Sequence, residues 1–277
     1  MLTPAVLAPI REYLRLAVMQ TVESVAVRDA TDPVRAAGAC LNCDSQLQVQ
    51  QRFCGQCGQK AGHGRLTMRD VAHDFVHLLT HADHSIFTLV KALAYRPGHV
   101  ARDYIDGKRK RYFGPLAFLF ITVGLASFMV LIAGAQFFTP VPDNAIANFL
   151  QQHINLVIFL QVPLLAGVCA LLFRSSHLNY AEHLILAAYT SGFRLLFLAL
   201  VGVPVFYLAD LAPVSRTTAP VYLGLWLIYF SVASVQFYRG RASWTVVRAV
   251  VGGVLAQVIA MIVIVFCIWV YTQIAYS

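Results

Sequence analysis

The sequence predicts an all-α polytopic membrane protein: about five transmembrane helices preceded by a small four-cysteine ribbon and amphipathic helices. Three observations predict it. Of 277 residues, 58% are hydrophobic and only 12% charged, about half the charged share of soluble domains. Residues 1–114 hold 15 of the 21 Lys+Arg and 10 of the 13 Asp+Glu, so the remainder lacks the polar residues to cover a surface in water. Two Cys-x2-Cys pairs, Cys40/Cys43 and Cys54/Cys57, stand in the polar part. The chain divides into an amphipathic extension (1–37), the ribbon (38–62), interfacial helices with a basic neck (63–114) and the bundle (115–277).

Within 1–37, Ile10, Leu14, Ala17, Val18, Val22 and Val25 recur at helical spacing opposite Arg11, Arg15 and Glu23, which predicts an amphipathic helix on the membrane or against the protein. No signal peptide is expected, because the first apolar run is short and lacks a basic leader.

The cysteine pairs are separated by ten residues. Each pair turns both sulfurs toward one ion, and two pairs close a tetrahedral shell. Cys40, Cys43, Cys54 and Cys57 are therefore the expected ligands of a structural Zn²⁺. The same thiolates would also serve an iron–sulfur centre. Gly55 and Gly58 supply permissive backbone in the second knuckle. A ribbon this small has no core without its metal. A shell of four thiolates leaves no open position, which argues against catalysis at this ion. Only Arg52 and Lys60 are cationic in 40–60, so the net charge of +8 does not point to nucleic acid.

Residues 66–94 read as a helix with Val71, Phe75, Leu78, Leu79, Ala82, Ile86 and Leu89 on one face and Asp70, His73, His77, His81 and His84 on the other. His73, His77 and His81 are the residues that would form a second metal site, since a spacing of four brings imidazoles together. No spacing demands an ion there, so the stripe reads as a solvated polar face. Tyr95-Arg96-Pro97-Gly98 stops the helix. Lys108, Arg109, Lys110 and Arg111, flanked by Tyr104, Tyr112 and Phe113, form a neck suited to anionic lipid headgroups, at about 1 kcal/mol per cation.

Five apolar segments follow, near 115–138, 153–173, 183–208, 219–238 and 246–271, each long enough for the roughly 20 residues a bilayer requires. Lys108 to Arg111, Arg174, Arg239 and Arg241 fall on one side. This predicts a cytoplasmic N-terminus and an external C-terminus. Pro163 and Pro204 are expected to kink spans two and three, and Gly252 and Gly253 to permit close packing of span five. Arg194 lies near the middle of span three without a carboxylate at similar depth. Gln161 and Gln257 lie near that depth. The trio reads either as an anion or lipid-headgroup site or as an interior arginine locking the bundle. Cys169 and Cys267 read as small apolar residues.

The order of parts resembles an uncharacterised bacterial membrane family, domain of unknown function 3667. The resemblance runs from Cys40 to span three. It rests on the paired cysteines ending in Cys57-Gly58-Gln59, then Asp83, Thr88-Leu89, Pro97-Gly98, Tyr104, Gly107-Lys108-Arg109, Tyr112, Pro115 and Tyr180-Ala181-Glu182-His183-Leu184. It implies a multi-pass inner-membrane protein with a cytoplasmic ribbon and carries no activity. The histidine stripe and residues 1–36 stand outside the pattern. The expected role is non-enzymatic, a scaffold or regulator whose ribbon docks a cytoplasmic protein. The alternative is a transporter or lipid- or anion-handling protein using Arg194. A third reading is a membrane enzyme with metal at the histidines.

Overall fold

The computed structural model describes residues 38–48, 51–61, 65–72, 85–132, 154–208 and 218–275. The predicted N-terminal helix and the stripe of His73, His77, His81 and His84 lie outside the described residues. The order is a two-knuckle ribbon, then α1 (Ser85–Tyr95), α2 (Pro97–Ile105), α3 (Pro115–Ile132), α4 (Ile154–Leu172), α5 (Tyr180–Phe197), α6 (Val203–Leu208), α7 (Thr218–Tyr238) and α8 (Ala242–Ala275).

Among the described residues, four helical stretches are long and apolar enough to cross a membrane: Pro115–Ile132, Tyr180–Val205, Pro220–Tyr238 and Ala242–Cys267. The protein is a membrane protein by that measure. The expected second span is a helix of 19 residues, α4, within which the described apolar stretch is Phe159–Leu172. It packs against α5 and α8, while α5 also packs on α3, and α7 on α8. The segment of α5 through Val205 is the most enclosed of the four, which makes α5 the central helix.

Proline chemistry appears in two forms. Pro163 sits inside α4 without ending it; the Pro163 carbonyl accepts the Tyr180 hydroxyl at 3.0 Å. Pro204 has no N–H for a normal helical bond. The preceding turn, Leu198–Gly202, widens to a π-helix in which the Val203 N–H reaches the Leu198 carbonyl, so the disturbance expected at Pro204 takes the form of a π-turn between α5 and α6. The two glycines of α8 serve different neighbours. A Cβ on Gly253 would come within 2.7 Å of Leu227 in α7, and one on Gly252 within 3.1 Å of Leu172 in α4.

The α1–α2 hairpin leans on the bundle. Leu89 and Leu93 of α1 and Val100, Ala101 and Tyr104 of α2 are buried. The turn between them is pinned to α7. Gly98 donates its N–H to Gln236 at 2.9 Å, and the Tyr229 hydroxyl donates to the Leu93 carbonyl at 3.0 Å. The start of α3 is fixed by the Tyr189 hydroxyl, which donates to the Phe113 carbonyl at 2.7 Å.

The entry to α5 is a capping box. The Asn179 side chain accepts the Glu182 N–H and Glu182 accepts the Asn179 N–H, satisfying two orphan donors. Asn179 also donates to the Leu66 carbonyl at 2.7 Å. Arg65 grips both carboxylate oxygens of Glu182 at 3.0 Å and bonds the His177 carbonyl. This ties the chain after the ribbon to the bundle.

Candidate functional site

The ribbon is built from one hairpin used twice. In the first copy the Asp44 N–H bonds the Cys40 carbonyl, the Cys40 N–H bonds Ser45 and the Leu47 N–H bonds Gly38. In the second, fourteen residues later, Gly58 bonds Cys54, Cys54 bonds Gln59 and Ala61 bonds Arg52, all at 2.8–2.9 Å. Antiparallel bridges pair Ala39 with Gln46 and Phe53 with Lys60. The residue after each second cysteine is left-handed: Asp44 at φ 59° and Gly58 at φ 69°. Of the two glycines singled out in this knuckle, only Gly58 has a conformation that needs glycine. Asp is among the few side chains tolerated there.

These turns bring the four sulfurs within 4.8 Å of one another. Cys40 Sγ lies 3.6 Å from Cys57 Sγ, and Cys43 Sγ 3.6 Å from Cys54 Sγ. A tetrahedron with metal–sulfur bonds of about 2.3 Å has edges of about 3.8 Å. The donor set therefore fits one ion bound by Cys40, Cys43, Cys54 and Cys57. Ser45 Oγ stands between two of them, 3.1 Å from Cys43 and 3.0 Å from Cys54. That hydroxyl, with the amides of Cys57 and Gln56, pulls the Cys54 thiol down to about 6, and Ser45 also lowers Cys43. Burial pushes Cys57 up, to about 11.

The ribbon is seated on the neck by Gln59, which is 2% exposed. Its amide donates to the Gly107 carbonyl at 2.6 Å, and its oxygen accepts the Lys110 N–H at 3.3 Å. Gly107, at φ 106°, faces Leu41; a Cβ there would meet Leu41 Cδ1 at 2.7 Å. The four neck cations are not equivalent. Lys108 pairs with Asp103 at 3.1 Å. Arg109 is half-buried, and its Nε has no hydrogen-bond partner among the described residues. Lys110 and Arg111 are exposed. Asp103 also accepts the Tyr112 hydroxyl at 3.1 Å. Burial and then the Asp103 charge hold that phenol above its ordinary range.

In the bundle, Arg194, Gln161 and Gln257 come together from α5, α4 and α8. Arg194 donates to Gln161 Oε1 at 3.4 Å, and the Gln161 amide donates to Gln257. Two further residues belong to the group. The guanidinium lies 4.9 Å from the ring of Trp226 and 5.5 Å from that of Tyr222, both on α7. The Tyr222 hydroxyl donates to the Arg194 carbonyl at 3.2 Å. A Cβ on Gly192 would stand 3.3 Å from Thr122 Oγ1, which sets Gly192 level with Thr122, and Arg194, two residues further on, stands near the middle of α3 (Pro115–Ile132).

Sequence reasoning gave no site role to Gln59, Asp103 or Trp226. The available signals were polar or amphipathic residues adjoining recognised motifs.

Residues 83–126 match the model of a family described as protein of unknown function (DUF3667). The match covers α1, α2, the neck and much of α3. It is narrower than the resemblance from Cys40 to span three, and the four cysteines and Arg194 lie outside it. No curated protein and no solved structure matches the chain.

Proposed function

We propose that this is a multi-pass protein of the bacterial inner membrane without catalytic activity, a scaffold or regulator whose zinc-stapled ribbon offers a docking face to a cytoplasmic protein. The closed cluster of four thiols carries the reading: it fits a structural ion and leaves no ligand position for a substrate. Phe53, on the second knuckle, is 60% exposed, which suits it to contact with a partner. The cytoplasmic placement is supported by charge. The Arg239 side chain lies 3.9 Å from Asp106 beside the neck, and Arg248 reaches Ser175, so the basic residues gather at one end of the bundle.

The test is affinity capture from solubilised membranes with wild type, Phe53→Ser and Cys54→Ser/Cys57→Ser. The expected result is a partner set lost in both variants. Recovery of identical partners in all three would overturn the docking role. Elemental analysis should give one zinc per chain, lost with the cysteine pair; stoichiometric iron would replace zinc as the structural ion.

The Arg194 group supports a second reading, a protein that holds or moves an anionic lipid. What favours it is a cation inside the bundle facing two aromatic rings and an amide instead of a carboxylate.

A further inference from the structure

We propose that Arg194 and the indole N–H of Trp226 form a binding site for an anionic oxygen group, filled by the phosphate of an acidic membrane lipid. This rests on the second reading above and assigns its ligand and a new binding residue.

The group is rich in donors and short of acceptors. A guanidinium carries five N–H donors and no acceptor. Arg194 uses one donor on Gln161 Oε1, at a long 3.4 Å. The Gln161 amide is committed to Gln257. The Tyr222 hydroxyl is committed to the Arg194 carbonyl. Trp226 is 3% exposed, and its Nε1 has no hydrogen-bond partner among the described residues. A buried donor without a partner is costly.

Other cations of the protein are treated differently. Arg65 has Glu182, Lys108 has Asp103 and Arg102 has Asp106. Among the described residues no carboxylate forms an ion pair with Arg194. The rings of Trp226 and Tyr222 offset part of its charge through cation–π attraction, but they provide no oxygen for the remaining N–H groups. A charge within a span is expensive and as a rule marks a site. The missing partner is an anion that supplies several oxygens, as phosphate does to arginine.

Two features favour a lipid as its source. Arg194 is half-buried, so one side remains open beyond the bundle. On the same face of α5 and its π-turn, three and seven residues on, Phe197 is 44% and Val201 42% exposed. These give an apolar track on which an acyl chain can lie while the headgroup meets Arg194.

The experiment uses the full chain in detergent, with native mass spectrometry against added phosphatidylglycerol, phosphatidylcholine or inorganic phosphate. Wild type, Arg194→Lys, Arg194→Gln and Trp226→Phe are compared. Trp226→Phe keeps an aromatic face and removes only the N–H. Phosphatidylglycerol is expected to bind in preference to phosphatidylcholine. Affinity should fall by about tenfold or more in Arg194→Gln and by several-fold, at most about tenfold, in Trp226→Phe, as for loss of a charge-assisted and a neutral hydrogen bond. Binding of inorganic phosphate with the same dependence, without lipid binding, would assign the site to a soluble anion. Unchanged affinity for both anions in Trp226→Phe and Arg194→Gln would overturn the proposal and leave Arg194 as a structural lock. If Arg194→Gln fails to fold, Trp226→Phe alone decides. Binding without lipid transfer between vesicles would uphold the site and remove the transport reading.

Discussion

The Gln59 carboxamide donates to the Gly107 carbonyl at 2.6 Å across 48 residues of sequence, joining the ribbon to the neck that leads into the first long span. Its oxygen takes the Lys110 N–H, so one buried side chain satisfies both a carbonyl and an amide of the basic turn. The ribbon is thereby part of the neck's structure and not a free-standing knob.

Removing that side chain should release the neck. Gln59→Ala leaves two backbone groups without partners, at about 1–3 kcal/mol if they stay buried. Trypsin cleavage at Lys108–Arg111 is expected to accelerate about tenfold or more, with the metal content unchanged. A cleavage rate equal to that of wild type would show that the contact carries no load.

Glycine positions in the second knuckle should differ sharply. Gly58 sits at φ 69°, and a Cβ there meets nothing within 4 Å. Gly58→Ala therefore costs about 1–2 kcal/mol through backbone strain alone. Gly55→Ala, also in open space but without positive φ, should stay within about 0.5 kcal/mol. Competition for the metal by a chelator reads the difference; Gly58→Asn, tolerated in the left-handed region, should recover part of it.

Close packing makes Gly98 intolerant. A Cβ there would fall 2.0 Å from the Ala233 carbonyl oxygen and 2.5 Å from Gln236 Cβ. Backbone cannot rotate aside, so Gly98→Val is expected to cost about 1–3 kcal/mol or more and to detach α1–α2 from α7. Hydrogen exchange of residues 89–105 should rise while α8 stays protected.

The Arg65–Glu182 pair offers a reversal test. The Glu182 side chain is only 6% exposed, so Arg65→Glu sets two carboxylates against each other at the mouth of α5 and should lower the melting temperature. Arg65→Glu/Glu182→Arg should recover part of that loss, because the pairing returns although the Asn179 capping box does not. No recovery would mean that the cap, and not the ion pair, holds this joint.

Much of this design was legible in the sequence. Cys-x2-Cys twice at short spacing specifies two knuckles facing one ion, since each turn is local and needs nothing from the rest of the chain. Apolar segments of bilayer length specify helices, because backbone in lipid must bond to itself. Pro204 announced a disturbance in its helix, although whether it bends or widens depends on packing around Leu198–Gly202. Arg194, Gln161 and Gln257 shared a depth by counting along spans, and hydrogen bonds do connect them.

What the sequence alone could not specify was lateral and vertical placement. Nothing local says that Gln59 reaches Gly107, that Arg65 reaches Glu182, or that Trp226 and Tyr222 flank Arg194, because these contacts join elements dozens of residues apart. Nor does hydropathy say how far helices slide past one another, since any register of apolar surfaces buries similar area. The close approach of Gly192 to Thr122 and Phe118 sets that register, and with it the height of Arg194. Sequence determined the ribbon, the helices and the polar outliers; only tertiary structure decided which outliers meet and which aromatic residues flank them.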